Sequence, residues 1–255
     1  MNQPQKHWKI LLVGDSCWDE YRIGTVDRLS PEAPVPVVKV TDHYTIPGMA
    51  ANVGHNLKNL GVTPDFIHNK ESIIKTRYID KRSGQHLLRV DSEYAVVGWN
   101  RFTPNVLASY DAVVVSDYNK GFLGYEDIQY LVHNSTGPVF IDTKKPDLAR
   151  FTSGKSYIKI NELEYRQCTS VPENLIVTLG GNGAKLIQAG VESVYSTTKA
   201  EVVDVCGCGD TFLAALTYMY LESGSIDSAV VFANKAASIT VQHRGNYAPT
   251  LGEII

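Results

Sequence analysis

The stretch DVCGCGDTF, residues 204–212, precedes a long apolar run and decides how the chain is interpreted. It puts Gly207, Cys208 and Gly209 at the start of a predicted helix, where free backbone N–H groups and the helix dipole favour an anion. Asp210 follows in the first turn. Such a loop suits a site that holds a phosphoryl group while Asp210 removes a proton from an attacking hydroxyl. A glycine-rich helix start whose Asp only favours the dipole is the commoner explanation of this spacing alone.

The two cysteines of this stretch suggest a metal or redox site, which the rest of the sequence does not support. The chain has four cysteines and seven histidines, with no CxxC, HxH or HxxxH pair that could complete a zinc site. A disulfide between Cys206 and Cys208, one residue apart, would be badly strained. We therefore expect neither a metal nor a disulfide at these thiols, and a reduced, cytoplasmic protein.

The composition is that of an ordinary folded protein. The chain has 255 residues, of which 44% are hydrophobic and 20% charged, and this length favours one domain over residues 1–255. The net charge of -3 gives no general affinity for nucleic acid or anionic membrane. No apolar run approaches the roughly 18 residues of a membrane span, and the short run KILLVGD (9–15) predicts a strand, not a signal peptide.

Short apolar strands alternate with helical patterns along most of the chain, which is typical of a parallel sheet covered on both faces. We therefore predict a doubly wound, mostly parallel α/β fold. Buried strands are expected at 9–15, 111–117, 138–144, 156–161 and 174–180, and helices at 48–61, 125–135, 211–224 and 225–242. Two segments with polar faces, at about 20–45 and 73–92, predict a small β flap beside this sheet.

Polar residues follow several of these strands, and ligands bind beyond the carboxyl ends of parallel strands. We expect one cleft to gather Asp15, Asp19, Asp117, Asp142, Asn161, Glu164, Thr178 and Gly180. Within NELE (161–164), the amide and the carboxylate can orient hydrated Mg²⁺, although a capped helix start has the same spacing. TLGGNG (178–183) suits close approach of a nucleotide, although a plain hairpin turn looks similar. The chain has neither the GxxxxGK[ST] of a P-loop nor a GxGxxG after the first strand.

Together these motifs resemble the ribokinase-like (PfkB-type) carbohydrate kinases over nearly the whole chain. The resemblance is carried by VGDSCWD (13–19), PGMAAN (47–52), NELE (161–164), TLGGNG (178–183), DVCGCGD (204–210) and Asn234. DVCGCGD is similar to the D-x-x-G-x-G-D signature of that family. Within the family, RLSPEAPVPVVKV (28–40) and SDYNKG (116–121) are most like the heptose 7-phosphate kinases, which phosphorylate the anomeric C1 hydroxyl on the route to ADP-heptose.

The resemblance implies ATP and Mg²⁺ as cofactors and a role for each matched residue. Asp210 corresponds to the catalytic base. The anion hole corresponds to Gly207, Cys208 and Gly209. Nucleotide contacts are implied for Asn161, Thr178, Gly180, Gly183 and Asn234. Orientation of Mg²⁺ through water is implied for Asn161 and Glu164.

Sugar-hydroxyl contacts are implied for Asp19, with Gly48 and Asn52 beside it. Some members of the family hold K⁺ at positions that correspond to Asp204 and Gly245. A sugar phosphate as acceptor would be bound by basic residues of the flap, which are Arg28, Lys75, Arg77 and Arg89. We assign Arg89 to the substrate site, although a solvated strand face explains any one of the four equally well.

The chain also departs from the family pattern. Cys206 and Cys208 stand where Thr and Ala are commoner, and Met49 replaces a glycine at the sugar site, which narrows the expected pocket. After residues 61–70 a strand and a helix of the family are nearly absent. The nucleotidyltransferase domain fused to some heptose kinases is not part of this sequence, so adenylyl transfer is not expected.

Two other functions stay open alongside the heptose 7-phosphate kinase. One is a kinase of another small sugar, of the fructose or ribose type. The other is a non-catalytic sugar- or nucleotide-binding member of the family. Flaps of this kind exchange between subunits, so a homodimer through residues 28–40 is expected, with no nucleic-acid or membrane partner.

Overall fold

The computed structural model describes residues 7–255, which form twelve strands and seven α-helices. The strands are β1 (Ile10–Gly14), β2 (Ser16–Leu29), β3 (Pro36–Met49), β4 (Asp65–His68), β5 (Ile74–Asp80), β6 (His86–Ser92), β7 (Ala112–Asp117), β8 (Val139–Thr143), β9 (Ser156–Asn161), β10 (Asn174–Thr178), β11 (Ala184–Gln188) and β12 (Val191–Tyr195). The helices are α1 (Ala50–Asn59), α2 (Pro104–Leu107), α3 (Tyr125–Asn134), α4 (Glu162–Gln167), α5 (Cys208–Ser223), α6 (Ile226–Thr240) and α7 (Leu251–Ile254). None of these helices has the length and apolarity needed to cross a bilayer.

Eight strands form the central sheet in the order β12-β11-β10-β9-β8-β7-β1-β4. The six strands from β10 to β4 are parallel, while β11 and β12 are antiparallel additions at one edge. The chain leaves β1 toward β4 on one side and returns to β7 on the other. At such a switch point the carboxyl ends of two neighbouring strands open a crevice suited to a ligand.

Helices cover both faces of this sheet. On one face, Val53 of α1 and Phe212 of α5 pack with inward residues of the strands, and α6 completes the layer. On the other face, Leu131 of α3 and Phe151 bury the opposite side of the same strands. A sheet buried on both faces requires strands that are apolar throughout, as in β1 and β8. The predicted doubly wound, mostly parallel α/β fold is confirmed.

Four strands form a second sheet, which we call the flap, in the order β3-β2-β5-β6. It contains the segments for which the sequence predicts a flap, but β2 begins at Ser16 and β3 continues to Met49, so its first hairpin is longer than expected. Strands β2 and β5 are parallel, and their register aligns Asp19 with Lys75 and Tyr21 with Arg77. The flap therefore starts directly from the carboxyl end of β1 and lies beside the crevice.

The central sheet ends at β4, because only residues 69–73 separate that strand from β5 of the flap. Asn69 secures this short connection. Its side-chain oxygen accepts from the Ser16 N–H at 2.6 Å, and its amide group donates to the carbonyls of Ser16 and Glu71. The buried side chain of Asn69 thus holds the connection between β4 and β5, at the edge of the sheet where the sequence lacks a strand and a helix of the family.

Candidate active site

The glycine stretch forms the start of α5, as expected. Gly207 is the N-cap and has φ 73, a left-handed conformation that favours glycine. A Cβ at Gly207 would lie 2.7 Å from Asn52 Nδ2, so the close packing also requires a residue without a side chain. The first turn of a helix leaves backbone N–H groups without intrahelical partners, and here that turn includes Cys208, Gly209 and Asp210.

Asp210 is almost completely buried, and both of its carboxylate oxygens accept hydrogen bonds. Asn52 Nδ2 donates to Oδ2 at 2.9 Å, and the Tyr118 hydroxyl donates to Oδ1 at 2.8 Å. Burial raises the pKa of Asp210 to about 6, against the lowering effect of these two hydrogen bonds. The residue is therefore ionised at neutral pH and has a proton affinity suited to a general base.

A buried ion pair lies next to the helix start. Lys159 Nζ of β9 donates to Asp142 Oδ2 of β8 at 2.7 Å. A Cβ at Gly209 would lie 2.9 Å from that ammonium, so Lys159 lies against the backbone of the expected anion hole. Burial lowers the pKa of Lys159, but the Asp142 carboxylate outweighs it, and the net pKa is raised. A fixed positive charge thus adds to the N–H groups of α5.

Lys159 was not among the residues selected from the sequence. It stands two residues before Asn161, and on an alternating strand the two side chains share a face. The alternation of side chains along this strand is the sequence signal that could have identified Lys159.

The motif N-x-x-E caps α4. Asn161 Oδ1 accepts from the Glu164 N–H at 2.9 Å, and Glu164 Oε2 accepts from the Asn161 N–H at 2.8 Å. The remaining oxygen of Glu164, Oε1, pairs with Lys144. The geometry of this motif is therefore that of the capping alternative. The Glu164 carboxylate also lies close enough to Lys159 to help raise the pKa of that ammonium.

A cavity of about 170 Å³ opens between the β10 end and helices α5 and α6. Its walls include the four expected nucleotide residues other than Asn161, which are Thr178, Gly180, Gly183 and Asn234. Apolar side chains form much of the remainder, among them Val202, Val205, Phe212 and Val241. Asn234 is buried and donates to the Tyr195 carbonyl at 2.9 Å. The cavity reaches Cys208 and Gly209, so its inner end is the start of α5.

A second group of residues meets on the flap side of Asp210. Asp19 Oδ1 accepts from Arg77 Nη1 at 2.5 Å, and Asp19 Oδ2 accepts from Asn246 Nδ2 at 2.9 Å. A Cβ at Gly48 would lie 2.2 Å from Asp19 Oδ2, so only glycine allows this carboxylate its position. Asn52 connects this group to Asp210. The structure thus gathers Asp19, Gly48 and Asn52, and adds Arg77 and Asn246.

Arg89 does not join this group. It lies opposite Arg77 on β6, its side chain is 54% exposed, and two of its nitrogens bind the two oxygens of Asp91. Of the four basic flap residues named from the sequence, Arg77 and not Arg89 lies beside Asp19. The physical reason is the order of the strands, because Arg77 is on β5, next to β2, whereas Arg89 is on β6, the outer strand.

Asp15 and Asp117 serve the structure of the turn after β7 instead of facing the cleft. Asp15 accepts from the backbone N–H groups of Tyr118, Lys120 and Phe122. Asp117 accepts from Lys145 Nζ at 2.8 Å and from a threonine hydroxyl. Both carboxylates are fully enclosed. The expectation that they line the ligand cleft was wrong, because buried carboxylates at strand ends can be satisfied by the local backbone.

Asp204 ties together the two loops that flank the site. Its oxygens accept from the N–H groups of Cys206 and Gly245, each at 2.9 Å. Burial raises the pKa of Cys206 to about 11 and also raises that of Cys208. The two thiols are therefore protonated at neutral pH when no metal is bound, and a protonated thiol is a weak nucleophile.

Comparison with known proteins identifies the class to which this fold and site belong. Residues 105–251, more than half of the chain, match the pfkB family carbohydrate kinases. The chain belongs to that family, and it is a carbohydrate kinase with a ribokinase-like fold.

Among curated proteins, the chain is similar to the bifunctional protein HldE of several bacteria. It is 33% identical to that of Helicobacter pylori strain J99, covering 96% of this chain and 65% of the relative. It is 31% identical to that of Hydrogenovibrio crunogenus, covering 93% and 60%. The chain thus spans about 60–65% of the length of these relatives. The Helicobacter alignment runs over 305 residues, more than the 255 of this chain, so the relative has insertions within the matched region.

Two solved structures show the same fold at low sequence identity. Ribokinase from Thermotoga maritima superposes with a TM-score of 0.74 at 19% identity, covering 97% of this chain and 98% of that one. Arabidopsis thaliana ribokinase complexed with ribose and ATP superposes with a TM-score of 0.73 at 17% identity, covering 98% of each chain. The likeness extends over nearly the whole of both chains.

Proposed function

We propose that this kinase transfers the γ-phosphoryl group of ATP to the C1 hydroxyl of a heptose 7-phosphate. The observation that carries the transfer is the position of Asp210. It is buried between the cavity that reaches the α5 start and the Asp19 group on the flap side. The choice of sugar rests on the resemblance of residues 28–40 and 116–121 to heptose 7-phosphate kinases, and the HldE relatives support it.

In the proposed reaction, Asp19 and the side-chain oxygen of Asn246 accept hydrogen bonds from acceptor hydroxyls, because both N–H groups of the Asn246 amide already bind Asp19 and the Pro47 carbonyl. Asp210 takes the proton of the attacking sugar hydroxyl while the oxygen of that hydroxyl forms a bond to the γ-phosphorus. The bond from that phosphorus to the bridging β,γ-oxygen breaks, and ADP leaves. The backbone N–H groups at Gly207 to Gly209 and the Lys159 ammonium stabilise charge on the transferred group.

The adenosine end of ATP would occupy the cavity lined by Thr178, Gly180, Gly183 and Asn234. Such a site is mostly apolar with a few polar groups, which suits a flat base. Asn161 lies outside the residues that line it, next to the ion pair of Lys159 and Asp142. Its contribution would be toward the phosphates and their metal.

The residues near the phosphates fit a hydrated divalent cation. Asp142 Oδ1 is buried and has no hydrogen-bond partner among residues 7–255. Glu164 adds a carboxylate, and Mg²⁺ prefers oxygen ligands, several of them reached through water. We propose that Asn161, Glu164 and Asp142 orient this ion, which when bound neutralises charge on the phosphates. For K⁺, the loops joined by Asp204 and Gly245 are the proposed site, since each Asp204 oxygen keeps a lone pair beyond its N–H bond.

A homodimer through the flap is proposed as the assembly. The outer face of the flap exposes Trp18, Leu88 and Val90, and the hairpin of β2 and β3 exposes Leu29 and Val35. Apolar side chains grouped in this way mark an interaction surface. Sedimentation of the wild type and of Trp18→Glu would test this, because a charged residue in the interface would produce monomers.

Substrate choice is tested by ATP consumption with Mg²⁺ on a panel of acceptors. We expect heptose 7-phosphate to be preferred over fructose and ribose. If either sugar has a kcat/KM equal to or above that of heptose 7-phosphate, the second candidate, a kinase of unphosphorylated sugars, replaces the first. One observation favours that candidate: Asp19 neutralises Arg77, a cation beside the proposed sugar site. If no acceptor leads to ATP consumption, the result would favour a non-catalytic sugar- or nucleotide-binding protein.

A further inference from the structure

The turn SDYNKG after β7 is more rigid than a surface loop. Asp15 accepts from two of its N–H groups, those of Tyr118 and Lys120, and from that of Phe122 directly after it. Lys145 Nζ bridges Asp117 and Asn119. Asn119 has φ 56, the left-handed conformation that asparagine adopts more readily than most non-glycine residues and that suits a tight turn. Two buried aspartates therefore fix the backbone of one residue between them, which is Tyr118.

The side chain of Tyr118 points to the centre of the site. Its hydroxyl donates to Asp210 Oδ1 at 2.8 Å, and its ring packs on the cluster of Cys17, Met49 and Ile73. Two cations lie near the ring, with Lys75 Nζ 5.6 Å and Lys144 Nζ 5.2 Å from its centre. The residue thus packs on the flap, lies near Lys144 after β8, and binds the carboxylate of α5.

Asp210 depends on few groups for its orientation. Asn52 holds one oxygen and Tyr118 holds the other. The ionisable and polar groups that act on Asp210 from the surrounding elements are Cys17 of β2, Asn52 of α1, Tyr118, Asp142 of β8, Lys159 of β9 and Cys208 of α5. Among them, Asp142 disfavours the ionised carboxylate, whereas Lys159 and the two hydrogen-bond donors favour it.

We propose that Tyr118 is a positioning residue for the phosphoryl transfer, and that its hydroxyl, with Asn52, holds Asp210 in the orientation and ionised state that proton removal requires. This inference rests on the proposed role of Asp210 as base. The phenol does not touch the reacting atoms and acts through the carboxylate. A positioning role for Tyr118 requires a rigid backbone, and the turn held by Asp15 and Asp117 provides it.

The test is the pH dependence of kcat/KM for heptose 7-phosphate in the wild type and in Tyr118→Phe, which keeps the ring and removes the hydroxyl. The wild type is expected to lose activity below a midpoint near pH 6. A hydrogen bond to an ionised group favours ionisation by about tenfold. In Tyr118→Phe the midpoint moves to higher pH, activity at pH 6 falls about fivefold, and the deficit shrinks toward pH 8.5. KM for ATP stays within about twofold of the wild type.

Tyr130→Phe is the matched control, because it loses one phenol hydrogen bond, to the Phe102 carbonyl, away from the site. Its pH profile should coincide with that of the wild type. A Tyr118→Phe profile reduced by one factor at every pH, or not reduced at all, would overturn the inference and leave the base assignment standing. A wild-type profile without an acidic limb would overturn both.

Discussion

Arg77 and Asp19 form a buried ion pair across neighbouring strands of the flap, with Nη1 and Oδ1 2.5 Å apart. The Arg77 guanidinium also lies over the Tyr21 ring, 5.2 Å from its centre. Asp19 keeps its second oxygen for Asn246. Arg77 therefore fixes the Asp19 carboxylate on the flap side of the proposed base. It does so from β5, more than fifty residues later in the sequence.

Replacing Arg77 by Met should therefore damage both the fold and acceptor binding. Removing one member of a buried pair leaves an uncompensated charge and costs about 3–5 kcal/mol of the free energy of unfolding. We expect kcat/KM for the acceptor to fall at least about a hundredfold, while KM for ATP changes little, because the nucleotide cavity is separate. Denaturant unfolding and steady-state kinetics measure the two effects.

Arg89→Met provides the comparison on the adjacent strand. Its ion pair with Asp91 is solvent-exposed, and such pairs contribute about 0–1 kcal/mol. Equal losses of stability in the two variants would contradict the expected difference between a buried and an exposed ion pair.

Asp210→Asn should abolish turnover and leave ATP affinity nearly intact. Loss of a general base costs about 10²–10⁴ in rate. Asp111→Asn, on the amino side of β7 where the carboxylate binds the Lys9 N–H, is the control and should retain full activity. Near-normal kcat in Asp210→Asn, with titrated ATP binding unchanged, would remove the proposed mechanism.

The same substitution should stabilise the fold at neutral pH. Burial raises the pKa of Asp210 from 3.8 to about 6, so the folded chain binds this proton more tightly than the unfolded chain. The native state then loses stability as pH rises between these values, by about 3 kcal/mol in full. Asn carries no charge to bury. A Tm gain at pH 7.5 that vanishes near pH 4 is expected, and a gain independent of pH would contradict this origin.

Met49 has φ 55 and ψ -134, a backbone conformation that glycine adopts easily and other residues do not. Its side chain is buried with Cys17 and Ile73. Met49→Gly and Met49→Ala both remove that side chain, but only Gly relieves the backbone. We expect the Gly variant to be the more stable of the two by about 1 kcal/mol, the reverse of the usual order. It should also accept a wider range of acceptors. Equal unfolding midpoints would argue that no strain exists at Met49.

Cys208→Ala should keep activity within a few fold, because the expected anion hole acts through backbone N–H groups and not through the thiol. Metal analysis of the purified protein should give no stoichiometric zinc. Zinc at one equivalent per chain that disappears together with activity in Cys208→Ala would restore a metal function for this loop.

Much of the site could be predicted from the sequence, since simple rules place its parts. The carboxyl ends of parallel strands meet at one edge, which put Asp19 in the expected cleft, and a glycine-rich helix start offers N–H groups beside Asp210. The position of Asn52 beside Asp19 was implied by the family resemblance. The N-x-x-E motif was correctly located, with its capping geometry as one of two alternatives.

The residues that were missed depend on register and on loops. Tyr118 and Asn246 lie on turns whose course is set by tertiary contacts, and no local pattern indicates where their side chains point. Alternation puts Arg77 and Arg89 each on one face of its strand, but it does not tell which strand is the inner one. Asp15 and Asp117 were misassigned because a carboxylate after a strand can bind either a ligand or the backbone of its own turn.

We expect Lys75, a basic flap residue beside Tyr118, to bind the acceptor phosphate. Among the ion pairs of residues 7–255, Arg77 is paired with Asp19 and Arg89 with Asp91, whereas Lys75 has no such pair. Its ammonium lies 5.6 Å from the centre of the Tyr118 ring, whose hydroxyl binds the proposed base.

Lys75→Met should therefore raise KM for heptose 7-phosphate about tenfold to a hundredfold, the value of one charge-assisted contact. KM for an unphosphorylated sugar should stay unchanged, because only the phosphate loses its partner. Lys120→Met is the control with the same loss of charge. Lys120 lies two residues after Tyr118, and this substitution breaks its ion pair with Glu93. If Lys75→Met weakens both classes of acceptor equally, Lys75 supports the shape of the site and the acceptor phosphate is bound elsewhere.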